Sequence, residues 1–212
     1  MLRDDVISLV IARLNRTDLN APAILELGLL QATQFEGAPF LPWFTEYVDN
    51  NQVITANVET LATPTGFIRE VDGAGLFYLD ASSGKYIALP KDDYDNLVAN
   101  LDPTGDTPQG YAIIGDSYYF RPVPTQGFSL KLIYNKREPD AGAANIENGW
   151  LKWAPDLVIG ALGFVLATTY LQNPAQAQPF DTMRKEAIQR LNIMHEARTH
   201  ANRDYRMGGT ED

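Results

Sequence analysis

The stretch "NGWLKWAPDLVIGALGFVLATTYLQ", residues 148–172, limits the possible folds more than any other part of the sequence. From Leu157 to Leu171 fifteen residues pass without a charge. As a helix they span about 22 Å at 1.5 Å each, short of the roughly 30 Å of a bilayer core. The "QNPAQAQP" that follows places two prolines among amides, which do not continue a spanning helix. The segment therefore predicts a buried helix and no membrane crossing. Leu157, Ala161, Phe164 and Leu171 cover one face, and Ile159, Leu162, Leu166 and Tyr170 another, so the helix must be enclosed all round. Gly160 and Gly163 each lower helix propensity by about 1 kcal/mol relative to alanine, which makes sense where another backbone comes close. That backbone belongs to the same chain or to a neighbouring subunit. The candidate residues for subunit packing are Trp150, Trp153, Gly160, Gly163 and Phe164.

A chain of 212 residues with 45% hydrophobic residues can bury a core without cross-links. It has no cysteine, which removes disulfides, thiolate zinc sites and thiol catalysis together and suits assembly in a reducing cytosol. The first residues, "MLRDDVISLVIARLNR", lack the zones of a secretion signal, because Asp4 and Asp5 interrupt them. A net charge of -10 is the wrong sign for gripping phosphate backbones. It suits a wall past which DNA slides, since repulsion shortens residence.

The periodicity predicts an α+β fold in which an α-helical bundle formed by the N- and C-terminal segments carries an inserted β-rich domain. Residues 1–45 form the N-terminal part of the bundle, 46–140 the insertion, 141–207 the C-terminal part, and 208–212 a flexible tail. In the first helix Leu2, Val6, Leu9, Val10 and Arg13 recur at spacings of three and four. A second begins near Pro22, carries Ile24, Leu25, Leu29 and Leu30, and stops at Gly37. Phe40, Leu41, Trp43 and Phe44 are expected to seal a junction between subdomains. Strands are predicted at "GFIREV", "GLFYLD" and "KYIALP", a short helix at "KDDYDNLVANL", and a three-strand meander over 110–135 with turns at Gly115-Asp116 and Gln126-Gly127. A long amphipathic helix is expected from about Pro179 to Tyr205. It carries Arg184, Lys185, Arg190, Arg198, Arg203 and Arg206, against the acids Glu186, Glu196 and Asp204.

No motif assembles a catalytic or metal site. "IIGDSYY" at 113–119 matches the nucleophile block of GDS-type hydrolases around Ser117, yet Asn192 and Ala197 stand where a carboxylate would orient His195 or His200. The histidines of "HEARTH" are five apart, so a helix turns them about 140° away from each other instead of onto one metal. "DGAGLFY" has Tyr78 in place of the third glycine of a nucleotide fingerprint, and "KDDYD" lacks the spaced ligands of a calcium loop. The chain is expected to be a non-enzyme with no cofactor and no metal.

Three stretches carry a family resemblance: "LQATQFEGAPFLPWF", "GDSYYFRPVPTQGFSLKLIYNKREP" and "NGWLKWAPDLVIGALGF". Together they resemble the head-to-tail connector, or adaptor, proteins of tailed bacteriophages, in a layout similar to the adaptors of short-tailed phages. The resemblance implies a virion protein at the head-to-tail interface, assembled in the host cytoplasm as a usually dodecameric homo-oligomeric ring beneath the portal protein. It implies tail partners (nozzle or tube proteins) and double-stranded DNA passing through the channel without sequence-specific binding. In that picture Arg198, Arg203, Tyr205, Arg206 and Met207 are the candidate portal contacts. A tail-tube or neck subunit without portal contact is the alternative reading, and a hydrolase using Ser117 a remote one.

Overall fold

The computed structural model describes residues 2–16, 18–19, 41–71, 75–138 and 149–207, with side chains to residue 198. The fold is mixed α+β, and the chain divides into two compact units, Met1–Thr45 with Glu138–Asp212, and Glu46–Arg137. The expected second helix, near residues 22–36, lies outside the described residues.

In the first unit, helix α1 runs Arg3–Leu14 and buries Val6, Val10 and Leu14, spaced four apart on one stripe. Asp5 Oδ2 accepts the N–H of Leu2 at 3.1 Å, and Asn15 ends the helix in the left-handed region at φ 51°. A 3₁₀ turn over Trp43–Thr45 and the five-residue helix α3, Gly149–Trp153, precede α4, Pro155–Val165. Here α2 denotes the short helix Tyr94–Asn100 of the other unit. Pro155 sits in the first turn of α4, where its missing N–H costs nothing. Every residue from Leu157 to Gly163 is buried, as its all-round apolar character requires. The α-helix does not continue to Leu171. It widens into a π turn over Leu166–Tyr170, where Leu171 N–H reaches back five residues to Leu166 O at 3.0 Å and the Thr168 hydroxyl donates to Phe164 O at 2.7 Å.

The last helix, α5, spans Pro174–Met207, starting a turn earlier than the prolines led us to expect. Pro174 occupies its first position, and the Asn173 side chain accepts the N–H of Gln176 at 3.3 Å, a cap that satisfies one end group. Pro179 is carried inside the helix. Ala177, Phe180, Ala187 and Leu191 of α5 share one core with Val6 and Val10 of α1, Trp150 and Leu151 of α3, and Leu157 to Leu166. Trp43 and Phe44, expected at a junction, pack against this helical core.

Among the described residues the second unit holds three sheets. Strands β1 (Glu46–Ile54), β10 (Phe128–Lys136), β4 (Leu76–Asp80) and β5 (Lys85–Ala88) follow one another in antiparallel order, with β3 (Phe67–Glu70) also paired to β10. Strands β2 (Thr60–Ala62), β8 (Ser117–Arg121) and β7 (Gly110–Ile114) form the second sheet. Short strands β6 (Thr104–Gly105) and β9 (Val123–Pro124) pair in parallel. The three strands expected as one meander are thus divided. β7 and β8 make a hairpin through Gly115 at φ 56°, while β10 leaves for the other sheet, where its partners come from earlier in the chain. Phe128, Leu130, Leu132 and Tyr134 alternate into the core, the period of two that places one face of β10 inside. At the tip of the β4–β5 hairpin the Asp80 carboxylate accepts from Ser83 and Ser82, which hold its pKa down to about 2.

Two buried tyrosines differ in how their hydroxyls are met. Tyr111 donates to Glu70 Oε1 at 2.6 Å, and Lys91 Nζ lies 3.0 Å from the other carboxylate oxygen. Tyr118 is fully buried, and its hydroxyl has no partner among the described residues. Burial raises the pKa of both. Removing a donor from a paired group strands its acceptor, whereas removing an unpaired hydroxyl strands nothing. Tyr111→Phe is therefore expected to cost about 1–3 kcal/mol in urea unfolding, and Tyr118→Phe to be neutral or stabilising by about 1 kcal/mol. Equal losses in the two variants would contradict this assignment.

Candidate functional site

The sequence-derived site residues fall on two neighbouring parts of the helical unit, the α3–α4 segment and the last helix. Gly160 and Gly163 are explained within the chain. A Cβ on Gly160 would lie 2.8 Å from Arg184 N and 2.9 Å from Phe180 O, and one on Gly163 only 2.1 Å from the Phe180 ring. The close approach at both glycines is made by α5 of the same molecule. Trp150 is likewise enclosed by its own chain, with the Phe44 ring edge-on at 5.0 Å. Phe164 is half-buried beneath the Arg184 guanidinium, 4.7 Å from its ring centre. Trp153 alone of the five keeps a large free surface, 43% exposed.

The basic face of α5 is less positive than its sequence indicates. The acid missing from the sequence tally is Asp181, which takes Lys185 and Arg184 at 2.6 Å each; Lys185 first, then Arg184, holds its pKa below the ordinary carboxylate value. Arg190 reaches Asp156 of α4 at 3.1 Å. Arg198 lies over Trp43 at 4.6 Å and over Trp153 at 5.9 Å, a cation against two aromatic faces. All four described cations thus have a partner in their own chain. Between them Trp153, Pro155, Asp156, Ala187, Arg190 and Met194 line a cleft of about 100 Å³. Spacing on one helix could not have shown this arrangement, because Trp43, Trp153 and Arg198 are brought together only by tertiary packing. Arg203, Tyr205, Arg206 and Met207 lie on the helical backbone of α5, and their side chains fall outside the described residues.

The motifs set aside on sequence take structural roles. Ser117 is the first residue of β8, paired with Ile114 on one side and Ala62 on the other, so it lies in a ladder and not at a strand-to-helix elbow. Asp92 Oδ1 accepts the N–H of Asp93 at 2.8 Å and the Asn96 amide at 3.2 Å, which accounts for the "KDDYD" acids as the start of α2. Among the described residues no group of histidine and carboxylate side chains could hold a metal ion, and no helix is long and apolar enough to cross a membrane.

What these features offer is a surface for protein contact: a long helix, an exposed tryptophan, and an arginine held against it. A family model described as SU10 adaptor protein matches residues 1–208. The chain belongs to that family. The match takes in both units, so the SU10 adaptor family accounts for the β-rich unit as well as the helical one. No curated protein matches the chain. As a member of a bacteriophage head–tail adaptor family it is a structural virion protein of the head–tail junction, and the family implies interaction with portal and tail components.

Proposed function

We propose that this adaptor forms a dodecameric ring beneath the portal, extends the DNA channel and docks the tail, with the β-rich unit inserted into a bundle of terminal helices. The observation that carries this reading is the family match along residues 1–208. The charge supports it: at net -10 the wall of a conduit repels the DNA it surrounds, which keeps passage free of binding. The chain acts as a mechanical joint and performs no catalysis. The C-terminal segment from Arg198 to Asp212 carries the portal contact, made by Arg198, Arg203, Tyr205, Arg206 and Met207.

The test is binding of the full-length chain to the portal protein of the same phage, read by mass measurement of the complex. Arg198→Glu reverses a charge that rests on the half-buried Trp43 and the exposed Trp153, and deletion of residues 207–212 shortens the same end. Each is expected to weaken portal binding about tenfold, equivalent to about 1.4 kcal/mol, with little change in the unfolding midpoint. Full affinity in both variants would remove this end of α5 from the interface. A particle image with the chain in the tail tube, away from the portal, would overturn the portal reading itself.

A further inference from the structure

Both edges of the five-stranded sheet are open: among the described residues β1 pairs only with β10, and β5 only with β4. Each edge mixes charged and apolar side chains: β5 is Lys85, Tyr86, Ile87 and Ala88, and β1 starts with Glu46, Tyr47, Val48 and Asp49. All four residues of β5 are exposed, with Tyr86 41% and Ile87 40% accessible, and β1 exposes Tyr47 at 46% and Val48 at 48%. Because neighbours in a strand point to opposite faces, each edge carries an exposed apolar side chain on both faces. Such an edge is a template for another strand.

The backbone directions follow from the ladders. Leu89 N–H donates to Leu76 O at 2.9 Å, so that pair is hydrogen-bonded. Opposed pairs alternate, and the register sets Tyr78 against Ile87 and Asp80 against Lys85. Lys85 and Ile87 therefore turn their backbone groups to β4, while Tyr86 and Ala88 turn theirs outward. On the other edge Ile133 N–H donates to Gly75 O at 2.9 Å and Ile133 O accepts from Val71 at 3.3 Å, so Ile133 faces β3 and β4. Leu132 and Tyr134 then face β1, opposite Asp49 and Tyr47. Glu46 and Val48 are left pointing outward.

Three antiparallel steps separate β1 from β5, so the two edges run in opposite directions. A head-to-tail repeat that keeps strand orientation brings β5 of one copy antiparallel to β1 of the next. β5 has four residues, and Glu46–Asp49 are the four residues of β1 before its register shifts. Setting Tyr86 opposite Val48 and Ala88 opposite Glu46 joins the outward groups of both strands. The same register sets Ile87 opposite Tyr47 and Lys85 opposite Asp49, an apolar pair and an ion pair. The faces agree as well. Tyr47 stacks on Tyr134 and Ile87 pairs with Tyr78, which is opposite Leu130, on the face where Leu130 and Tyr134 are buried. Lys131, over the Tyr86 ring at 5.5 Å, shares the other face with Glu46. A slip of two residues places Tyr86 at the bulge or runs Ala88 past the start of β1.

We infer that β5 of one copy adds to β1 of the next in this register, so that a second copy of the chain is the occupant of both sheet edges and the sheet continues around the ring. The inference rests on the ring reading above. The chain has no cysteine, so a double variant, Tyr47→Cys with Ile87→Cys, introduces a single defined pair. Non-hydrogen-bonded antiparallel partners lie about 4.5 Å apart at Cα, within disulfide range. Mild oxidation of the assembled full-length protein, alone and on the portal protein, is expected to give a ladder of covalent multimers on a non-reducing gel, and Val53→Cys with Ile87→Cys to give none. Ala88→Pro and Val48→Pro each remove an outward N–H and no bond inside the sheet. Both are expected to keep the far-ultraviolet spectrum of the folded chain and to lower the assembled fraction at least tenfold. If either proline variant unfolds, the cysteine pair decides. Rings without the ladder, or with equal ladders in both cysteine variants, overturn the strand pairing and leave the ring reading standing. No assembly of the wild-type chain with or without portal overturns the ring reading and the pairing with it.

Discussion

Gly163→Leu is expected to lower the unfolding free energy of the chain by about 3 kcal/mol or more. A leucine gains about 1 kcal/mol of helix propensity over glycine, which would stabilise an unpacked helix. Here it meets a buried ring. The Cβ alone falls 2.1 Å from Phe180 Cδ1 and 2.3 Å from Cε1, and the rest of the side chain has further to reach. Phe180 is itself 5% exposed and cannot turn outward without emptying its own place in the core. Gly160 is confined differently, by backbone atoms of Phe180 and Arg184 at 2.8–3.1 Å, so a substitution there requires α5 to move as a rod. Urea unfolding of dilute, unassembled protein provides the measurement. If α5 of the same chain makes the contact, the monomer itself loses stability. A double variant with Phe180→Ala recovers at least 1 kcal/mol relative to the sum of the single changes. A monomer of unchanged stability that fails only to assemble would mean that the space belongs to another copy.

The sequence made this contact half legible. Two glycines three residues apart in an otherwise greasy helix announce a close approach, but one sequence does not say whose backbone arrives. The same division runs through the fold. Elements defined by local periodicity, such as the Val6 and Val10 stripe of α1 or the strand from Phe128 to Tyr134, were readable, because a stripe or an alternating face is a local property, although Leu2 and Arg13 of the expected stripe are exposed and Ile7 and Leu14 complete it. Elements defined by partners were not. β10 was expected to follow β8 in one sheet, yet it pairs with β1, β3 and β4, whose paired residues come 52 or more positions earlier, Leu130 with Tyr78 being the least separated pair. The start of α5 was misplaced because prolines read as breaks, whereas Pro174 at the first helical position and the Asn173 cap turn one of them into a beginning. Within the candidate site, Arg198 was legible as a charge but not as a cation between Trp43 and Trp153. Asp181 shows why counting charge along a helix overstates its field: a single carboxylate answers both Arg184 and Lys185.

The two tryptophans of "GWLKW" give the second large expected effect, because they separate folding from docking within five residues. Trp150→Ala is expected to cost about 3–5 kcal/mol. Its side chain is 3% exposed and edge-on to Phe44, in the core that α1, α4 and α5 share. A five-residue helix has no stability of its own, so α3 depends on such anchors. The Glu138 carboxylate, accepting Gly149 N–H at 2.7 Å, is another. Trp153, three residues on and nearly one turn around, is 43% exposed, and its ring contacts include Trp43 at 6.2 Å, Lys152 Nζ at 5.6 Å and the Arg198 guanidinium at 5.9 Å. Trp153→Ala is therefore expected to cost about 1 kcal/mol of stability. If the exposed aromatic and the arginine form part of the portal contact, it also weakens portal binding by a larger factor than its effect on folding explains. Thermal unfolding and portal binding, measured on both variants, separate the two roles. Trp150→Ala lowers the midpoint steeply, and the fraction that remains folded binds normally. Trp153→Ala barely moves the midpoint and binds less. Equal stability losses at the two positions would refute the burial argument, and undiminished binding in the Trp153 variant would leave that tryptophan outside the interface.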